Sequence, residues 1–204
     1  MPDEKLEPIK FYYDYKSPFT YLAFAPALDL ERTHRVQLSF TPHELNVRGA
    51  YGGDLDDRPD RDWYKVRYLY ADARRFAKER GIVIRGPQKI FDSRLALTSG
   101  IFAARAGRFR EYSQMVFERF FLRALDIENL DALAGVIAKS GMDAEAFRRF
   151  IAGEGPGALA EAFAEGESNG IFGVPTLLVA GERFWGNDRV EWLIKKLDTM
   201  GLRR

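Results

Sequence analysis

The 204-residue sequence predicts an α/β protein whose two sheet-forming parts are separated by a large, all-helical block. Three observations lead to this prediction. A strand pattern, a helical pattern and a second strand pattern open the chain. Helical patterns alone fill its middle. Two short strand patterns and a last helix close it. The predicted order is therefore βαβ, a series of helices, then ββα.

The first part begins with an alternating run over residues 9–15, with aromatic side chains on both faces, which is typical of a central strand. Ser17 then occupies the position of a helix N-cap and Pro18 the first helical position, so a helix is expected to begin there. Residues 36–40 alternate again and predict a second strand that stops at Pro42. Strand, helix and strand in this order predict a right-handed βαβ unit.

The middle of the chain opens with residues 45–61, a Gly-, Asp- and Arg-rich stretch that indicates a long polar loop. Helical periodicity follows over residues 63–80, 93–106, 109–122, 130–138, 143–151 and 157–167. The segments 130–138 and 143–151 are shorter than the others, and the segment 109–122 is strongly aromatic. Its stripe is expected to be core, with a dimer surface as the alternative; the stripe is Phe109, Tyr112, Phe117, Phe120 and Phe121.

The last part returns to strand patterns. Residues 176–179 are a short apolar run, Gly181 marks a hairpin turn, and residues 182–185 form a second strand. Asn187 or Asp188 is expected to cap the final helix.

The composition excludes several classes of function. A net charge of +1 gives no electrostatic basis for binding nucleic acid or an anionic membrane. No stretch approaches the ~20 apolar residues of a membrane helix, and the start, MPDEKLEP, has no apolar run, so a cytoplasmic location is expected. With no cysteine, the chain lacks its own thiolate, and its two histidines show no metal-ligand spacing, so no metal site is expected.

Two motifs carry a resemblance to a known family: FYYDYKSPFTYLA near the start and GIFGVPTLLVAGERFWGNDR near the end. With the βαβ…ββα order, the chain resembles the DsbA-like branch of the thioredoxin superfamily. Within it, the motifs are similar to those of 2-hydroxychromene-2-carboxylate isomerases and kappa-class glutathione transferases. The resemblance implies a discontinuous thioredoxin-fold domain at 1–45 and 170–204, with a helical insertion domain at 46–169.

The resemblance also implies a glutathione site between the two motifs. Ser17 stands where thioredoxin-like proteins keep their first cysteine, and in the isomerase and kappa families this serine faces the glutathione thiol. Pro175 matches the cis-proline of the family. Val174, just before it, would pair its backbone N–H and C=O with the cysteinyl unit of glutathione.

The rest of the implied site lies in two other segments. Asp188 matches the acidic residue that takes the γ-glutamyl amine, and Asn187 would help to hold the neighbouring carboxylate. Lys65 stands roughly where these families keep a lysine. The segment before it, GGDLDDRPDRDWYK, differs from the usual Gly-Asn-Arg/Gln-Pro-Pro run. Taken alone, Ser17 and Asp188 could be simple helix caps and Lys65 a surface lysine.

Elementary electrostatics agrees with such a site. A thiol becomes a good nucleophile when it ionises, and the N-terminus of the helix beginning at Pro18 would offer free N–H groups and the positive end of the helix dipole to a thiolate. The Ser17 hydroxyl would add one hydrogen bond. A chain without cysteine that keeps a thiolate-stabilising site can use the thiol of a ligand.

The sequence therefore predicts a glutathione-dependent isomerase or transferase acting on a small aromatic electrophile, and the resemblance implies a homodimer. Side chains that could bind an aromatic carboxylate are Tyr51, Tyr64, Arg67 and Tyr68. The alternative is a redox-inactive thioredoxin-fold protein that binds a peptide or protein partner in the groove beside Pro175.

Overall fold

The two ends of the chain form the elements that the sequence predicts. A computed structural model describes residues 6–47, 49 and 60–204, with the backbone alone at 60 and 61. The N-terminal elements are β1 (Glu7–Tyr13), α1 (Pro18–Thr33) and β2 (Val36–Pro42). The C-terminal elements are β3 (Thr176–Val179), β4 (Glu182–Trp185), a 3₁₀ turn (Asn187–Arg189) and α8 (Val190–Thr199). The order βαβ…ββα is confirmed.

The middle of the chain is helical, as expected. Its helices are α2 (Asp60–Glu79), α3 (Arg94–Arg105), α4 (Phe109–Phe121), α5 (Leu130–Lys139), α6 (Ala144–Ala152) and α7 (Gly155–Ser168). Most of the predicted polar loop at 45–61 lies outside the described residues.

The sheet has the strand order β2-β1-β3-β4. β1 runs parallel to β2, with Ile9 opposite Leu38, and antiparallel to β3, with Tyr12 opposite Thr176. β1 is therefore central, and both of its faces are covered, which explains its aromatic residues on both sides. The fold is a DsbA-like thioredoxin fold with a helical insertion.

The sheet and the helical block share one buried apolar cluster. Tyr15, just after β1, packs on Phe117 of α4 with ring centroids 4.9 Å apart, and Tyr21 of α1 stacks on the same ring at 5.3 Å. All five residues of the predicted aromatic stripe are no more than 5% exposed. They are core, so they do not supply a dimer surface. The domain boundaries at 45/46 and 169/170 stay a prediction.

Two further properties concern the described part of the chain only. None of its helices has both the length and the apolar character needed to cross a bilayer. Nor does it contain a group of three or more His, Cys, Asp or Glu side chains placed to hold a metal ion.

Candidate active site

Ser17 joins the two ends of the chain. Its Oγ accepts a hydrogen bond from the Thr20 N–H at 3.1 Å, so it caps α1. The same hydroxyl donates to the Val174 carbonyl oxygen at 3.4 Å. Because O–H···O hydrogen bonds are usually 2.5–3.0 Å long, the second contact is weak. The hydroxyl proton can therefore turn to another acceptor at little cost.

The first turn of α1 offers fewer donors than the sequence led us to expect. Pro18 has no N–H, and the Thr20 N–H is used by the cap. The Ser17 N–H donates to the Asp14 carbonyl at 3.1 Å. Among the described residues, only the Phe19 N–H of this turn has no acceptor. An anion here would meet one backbone donor and the Ser17 hydroxyl, because capping and proline remove the others.

A buried carboxylate holds the turn before Ser17. Asp14 is fully buried and accepts hydrogen bonds from Lys16 N at 2.9 Å, Leu45 N at 2.7 Å and Ser93 Oγ at 3.0 Å. Burial raises the pKa of Asp14, although the Lys16 charge and these hydrogen bonds act in the other direction. This network fixes the β1–α1 turn against the segment that leaves β2 and the start of α3. No local pattern in the sequence indicates this network.

The second motif forms the opposite wall. The Val174–Pro175 peptide bond is cis, as the resemblance implied. Val174 is 6% exposed, and its N–H donates to no acceptor among the described residues. Gly173 lies directly under Trp185, since a Cβ there would come within 2.8 Å of the indole Nε1. A larger residue at 173 would therefore push this indole away.

Asn187 and Asp188 lie in the 3₁₀ turn before α8. Neither side chain caps a helix, so the expected cap is wrong; α8 begins at Val190, after the 3₁₀ turn. Asn187 is 5% exposed, and its Nδ2 has no hydrogen-bond partner. The Asp188 carboxylate is half-exposed and lies 3.3 Å from the Arg189 guanidinium. A buried donor without an acceptor is costly, so Asn187 suits a ligand oxygen.

These segments surround one cleft with a volume of about 1120 Å³. Seven of the predicted residues line it: Ser17, Lys65, Arg67, Val174, Pro175, Asn187 and Asp188. Tyr64 and Tyr68 do not line it; they are 68% and 65% exposed on the far face of α2. Tyr51 lies outside the described residues.

Several residues at the cleft were not predicted. Lys16 lines it with a side chain only 8% exposed, ion-paired to Asp14 and Glu44 at 3.8 and 3.6 Å. Phe172 and Trp185 form its rim, with ring centroids 4.9 Å apart and 68% and 53% of each residue exposed. The available signal in the sequence was the position of these two aromatic residues, Phe172 and Trp185, in the motif that also contains Pro175.

Comparison with known proteins places this geometry in a family. The DSBA-like thioredoxin domain model matches residues 8–198. The chain belongs to the DSBA-like thioredoxin family. Within this family it is 30% identical to a 2-hydroxychromene-2-carboxylate isomerase of Pseudomonas putida, over 89% of this chain and 90% of the relative. A second enzyme of that name, from Sphingobium xenophagum, is 25% identical over 91% and 95% of the two chains.

Among DSBA-like structures, this one is similar to a solved 2-hydroxychromene-2-carboxylate isomerase. The TM-score is 0.79 at 26% identity, covering 95% of each chain. A cytosolic disulfide reductase of Pseudomonas aeruginosa, DsbM, solved with GSH, has a TM-score of 0.63 at 14% identity, which shows the shared fold alone. The curated relatives named as isomerases support an isomerase as the class of enzyme.

Proposed function

We propose that this protein is a glutathione-dependent isomerase or transferase that acts on a small aromatic electrophile. The observation that carries the proposal is the single cleft shared by Ser17, Val174 and Asp188, from three distant parts of the chain. In an enzyme without cysteine, a thiol site at the N-terminus of α1 has a use when the thiol comes with a ligand.

The polar groups of the cleft fit glutathione. The Asp188 carboxylate would bind the γ-glutamyl amine of glutathione. The unpartnered Asn187 amide would donate to the ligand carboxylate next to that amine. The Val174 N–H and C=O would pair with the cysteinyl backbone. Lys65 would complete the site as a cation for a ligand carboxylate. Each of these groups matches a donor or acceptor of the tripeptide.

When bound, glutathione would supply a thiolate whose C–S bond to an enone carbon turns the C=C bond into a single bond and the carbonyl into an enolate; after rotation about that C–C bond, the C–S bond would break and the C=C bond re-form. The protein's part is to hold that negative charge. The Ser17 hydroxyl would turn from the Val174 carbonyl toward the sulfur, and the Phe19 N–H and the positive end of α1 would act in the same direction.

Other residues that line the cleft suit an aromatic carboxylate. Val66, Tyr70 and Phe91 supply apolar contact surface, and Arg67 and Arg74 supply positive charge. Aromatic rings bury large areas on such surfaces, and a guanidinium can hold a carboxylate in two hydrogen bonds. The electrophile would then lie between these residues and Ser17.

Calorimetric titration with glutathione tests the proposal first. We expect saturable binding by the wild type, weaker binding by Asp188→Ala, and glutathione-dependent turnover with hydroxychromene carboxylates or chloro-dinitrobenzene. Unchanged turnover across that panel in Ser17→Ala would contradict the role of Ser17. No binding at millimolar glutathione would remove the proposal.

The alternative function has one observation in its favour. Phe172 and Trp185 expose more than half of their surface beside Pro175, as a peptide-binding groove would. A redox-inactive protein would use this rim and the Val174 backbone to bind an extended segment of a partner. A pull-down that recovers a stoichiometric partner, together with no glutathione binding, would favour this alternative.

We also propose a cytoplasmic homodimer, because the resemblance implies one. Size-exclusion chromatography with light scattering would show about twice the mass of one chain. A monomer would remove the dimer without affecting the glutathione site.

A further inference from the structure

A second cavity, of about 630 Å³, adjoins the cleft. Four residues line both spaces: Pro87, Lys89, Phe91 and Phe120. Between them, Ile90 lines only the cleft and Gln88 only the second cavity. Residues 86–91 are therefore the wall that separates the two spaces.

The backbone of this wall is held at both ends. Arg123 Nε donates to the Gly86 carbonyl at 2.8 Å, and the Arg85 N–H donates to the Phe121 carbonyl at 2.9 Å. At the other end, Glu128 accepts from the Asp92 N–H at 2.6 Å and pairs with Lys89. Because α4 and the turn after it hold the backbone, the side chains decide how far the wall is closed.

Phe91 is the side chain that closes it. Its ring meets Phe120 edge to face, with centroids 5.2 Å apart at 81°, and Lys89 Nζ lies 4.7 Å from its centroid. Phe120 is 5% exposed and belongs to a packed helix, whereas Phe91 is only half-buried and follows an irregular segment. Removing the Phe91 ring would join the spaces without disturbing α4.

The lining of the second cavity suits an acidic aromatic ligand. Leu125 and the rings of Phe91 and Phe120 give it apolar walls. Arg123 and Lys89 line it too, together with one carboxylate, Asp126. No carboxylate among the described residues, Asp126 included, forms an ion pair with the Arg123 guanidinium, whose Nε donates to the Gly86 carbonyl. An aromatic system reaching this space would find apolar contacts and a positive charge.

We propose that Phe91 is a specificity-determining residue, which sets the length of the aromatic carboxylate that the cleft accepts by closing it off from the second cavity. This inference rests on the proposed function, since it assigns the substrate end of the same cleft. Ligands that fit in front of Phe91 bind to the wild type, and longer fused-ring carboxylates are excluded.

The test compares the binding of 2-naphthoate and 2-anthracenecarboxylate, which differ by one fused ring. The proteins are the wild type, Phe91→Ala and the control Gln88→Ala, whose side chain faces only the second cavity. The measured quantity is the dissociation constant of 2-anthracenecarboxylate divided by that of 2-naphthoate. We expect this ratio to fall by at least about tenfold in Phe91→Ala, because the third ring gains apolar burial. The ratio should not change in Gln88→Ala.

An unchanged ratio in folded Phe91→Ala, or binding of neither probe by any of the proteins, overturns the inference. If thermal unfolding shows that Phe91→Ala is not folded, Phe91→Leu decides by the same ratio, with a smaller expected fall. These probes need neither glutathione nor turnover. A wild type without glutathione activity but with the expected change in ratio would therefore contradict the proposed function alone.

Discussion

The Ser17 hydroxyl donates to the carbonyl oxygen of Val174, at 3.4 Å and across 157 positions of the chain. This contact joins the N-cap of α1 to the residue before the cis-proline. Bound glutathione would compete with this contact, because Val174 would pair with the backbone of glutathione and Ser17 with its sulfur. The contact therefore marks the place where a thiol would enter.

Replacing Ser17 with alanine removes two interactions at once. The lost cap should lower the free energy of unfolding by about 1 kcal/mol. The lost donor should reduce glutathione-dependent kcat/KM on the order of 10²-fold and move the acidic limb of its pH profile to higher pH, because the thiolate would be less stabilised. Asn129→Ala is the matched control, since Asn129 caps α5 by accepting from the Ala132 N–H at 2.9 Å. It should cost similar stability and leave kcat/KM unchanged.

Replacing Asp188 with alanine should weaken glutathione binding by about ten- to a hundredfold, which is the range for a hydrogen bond to a charged group. Stability should change little, because the carboxylate is half-exposed and its one ion pair is with its neighbour Arg189. Calorimetry measures the affinity. Asp131→Ala, at a carboxylate 82% exposed that pairs with Arg148, should bind like the wild type; equal loss in both variants would point to a general effect of charge.

Replacing Gly173 with alanine should displace Trp185. The new Cβ would lie 2.8 Å from its Nε1 and 3.2 Å from its Cε2, and the half-exposed indole can move outward, so the effect on stability is expected to be small. The tryptophan fluorescence maximum should shift and the affinity for glutathione should fall. Gly135→Ala, with no atom within 4 Å of its added Cβ, should instead stabilise α5 by up to about 1 kcal/mol. Wild-type fluorescence and affinity in Gly173→Ala would contradict this account of the rim.

His43 should make stability depend on pH. Burial lowers the pKa of its imidazole below the usual 6.5, against the charges of Glu167 and Glu44, which raise it. Between the lowered value and 6.5, the unfolded chain binds more protons than the folded chain. The contribution of His43 to stability is therefore complete above pH 6.5 and is lost as the pH falls through the lowered pKa.

Urea unfolding at pH 7.5 and 5.0 measures this dependence. His43→Gln should lose less stability than the wild type over that interval, while both should change equally between pH 7.5 and 8.5. An equal loss in the two proteins on acidification would show that other groups carry the acid sensitivity.

How much the sequence could predict differs from residue to residue. Ser17, Pro175 and Asp188 could be found because each lies in a local motif whose order along the chain fixes the fold. Tyr64 and Tyr68 do not line the cleft, and the helical period alone puts them opposite Val66, Leu69 and Ala73 on α2. Their role in binding a substrate stays a prediction.

Other features needed the folded chain. Asp14 connects the β1–α1 turn to the start of α3, because Ser93 Oγ lies 3.0 Å from its carboxylate in the folded chain. No local pattern in the sequence predicts that packing. The sequence predicts that Asp92 or Ser93 opens α3. Ser93 stands at the N-cap position, but its hydroxyl donates to Asp14 and caps nothing, whereas the Asp92 carboxylate accepts from the Arg94 N–H at 2.8 Å. The wall at 86–91 has no periodicity at all, so its role depends entirely on neighbours from α4 and the turn beyond it.

The position of β1 has a consequence for the nascent chain on the ribosome. β1 can pair with β2 once both are synthesised, but its other edge stays unpaired until β3, which follows the whole helical block. An unpaired strand edge is a template for association with other chains. Fragments that end before Thr176 leave this edge unpaired and are expected to aggregate. Light scattering of such fragments, against the full-length chain, measures that aggregation.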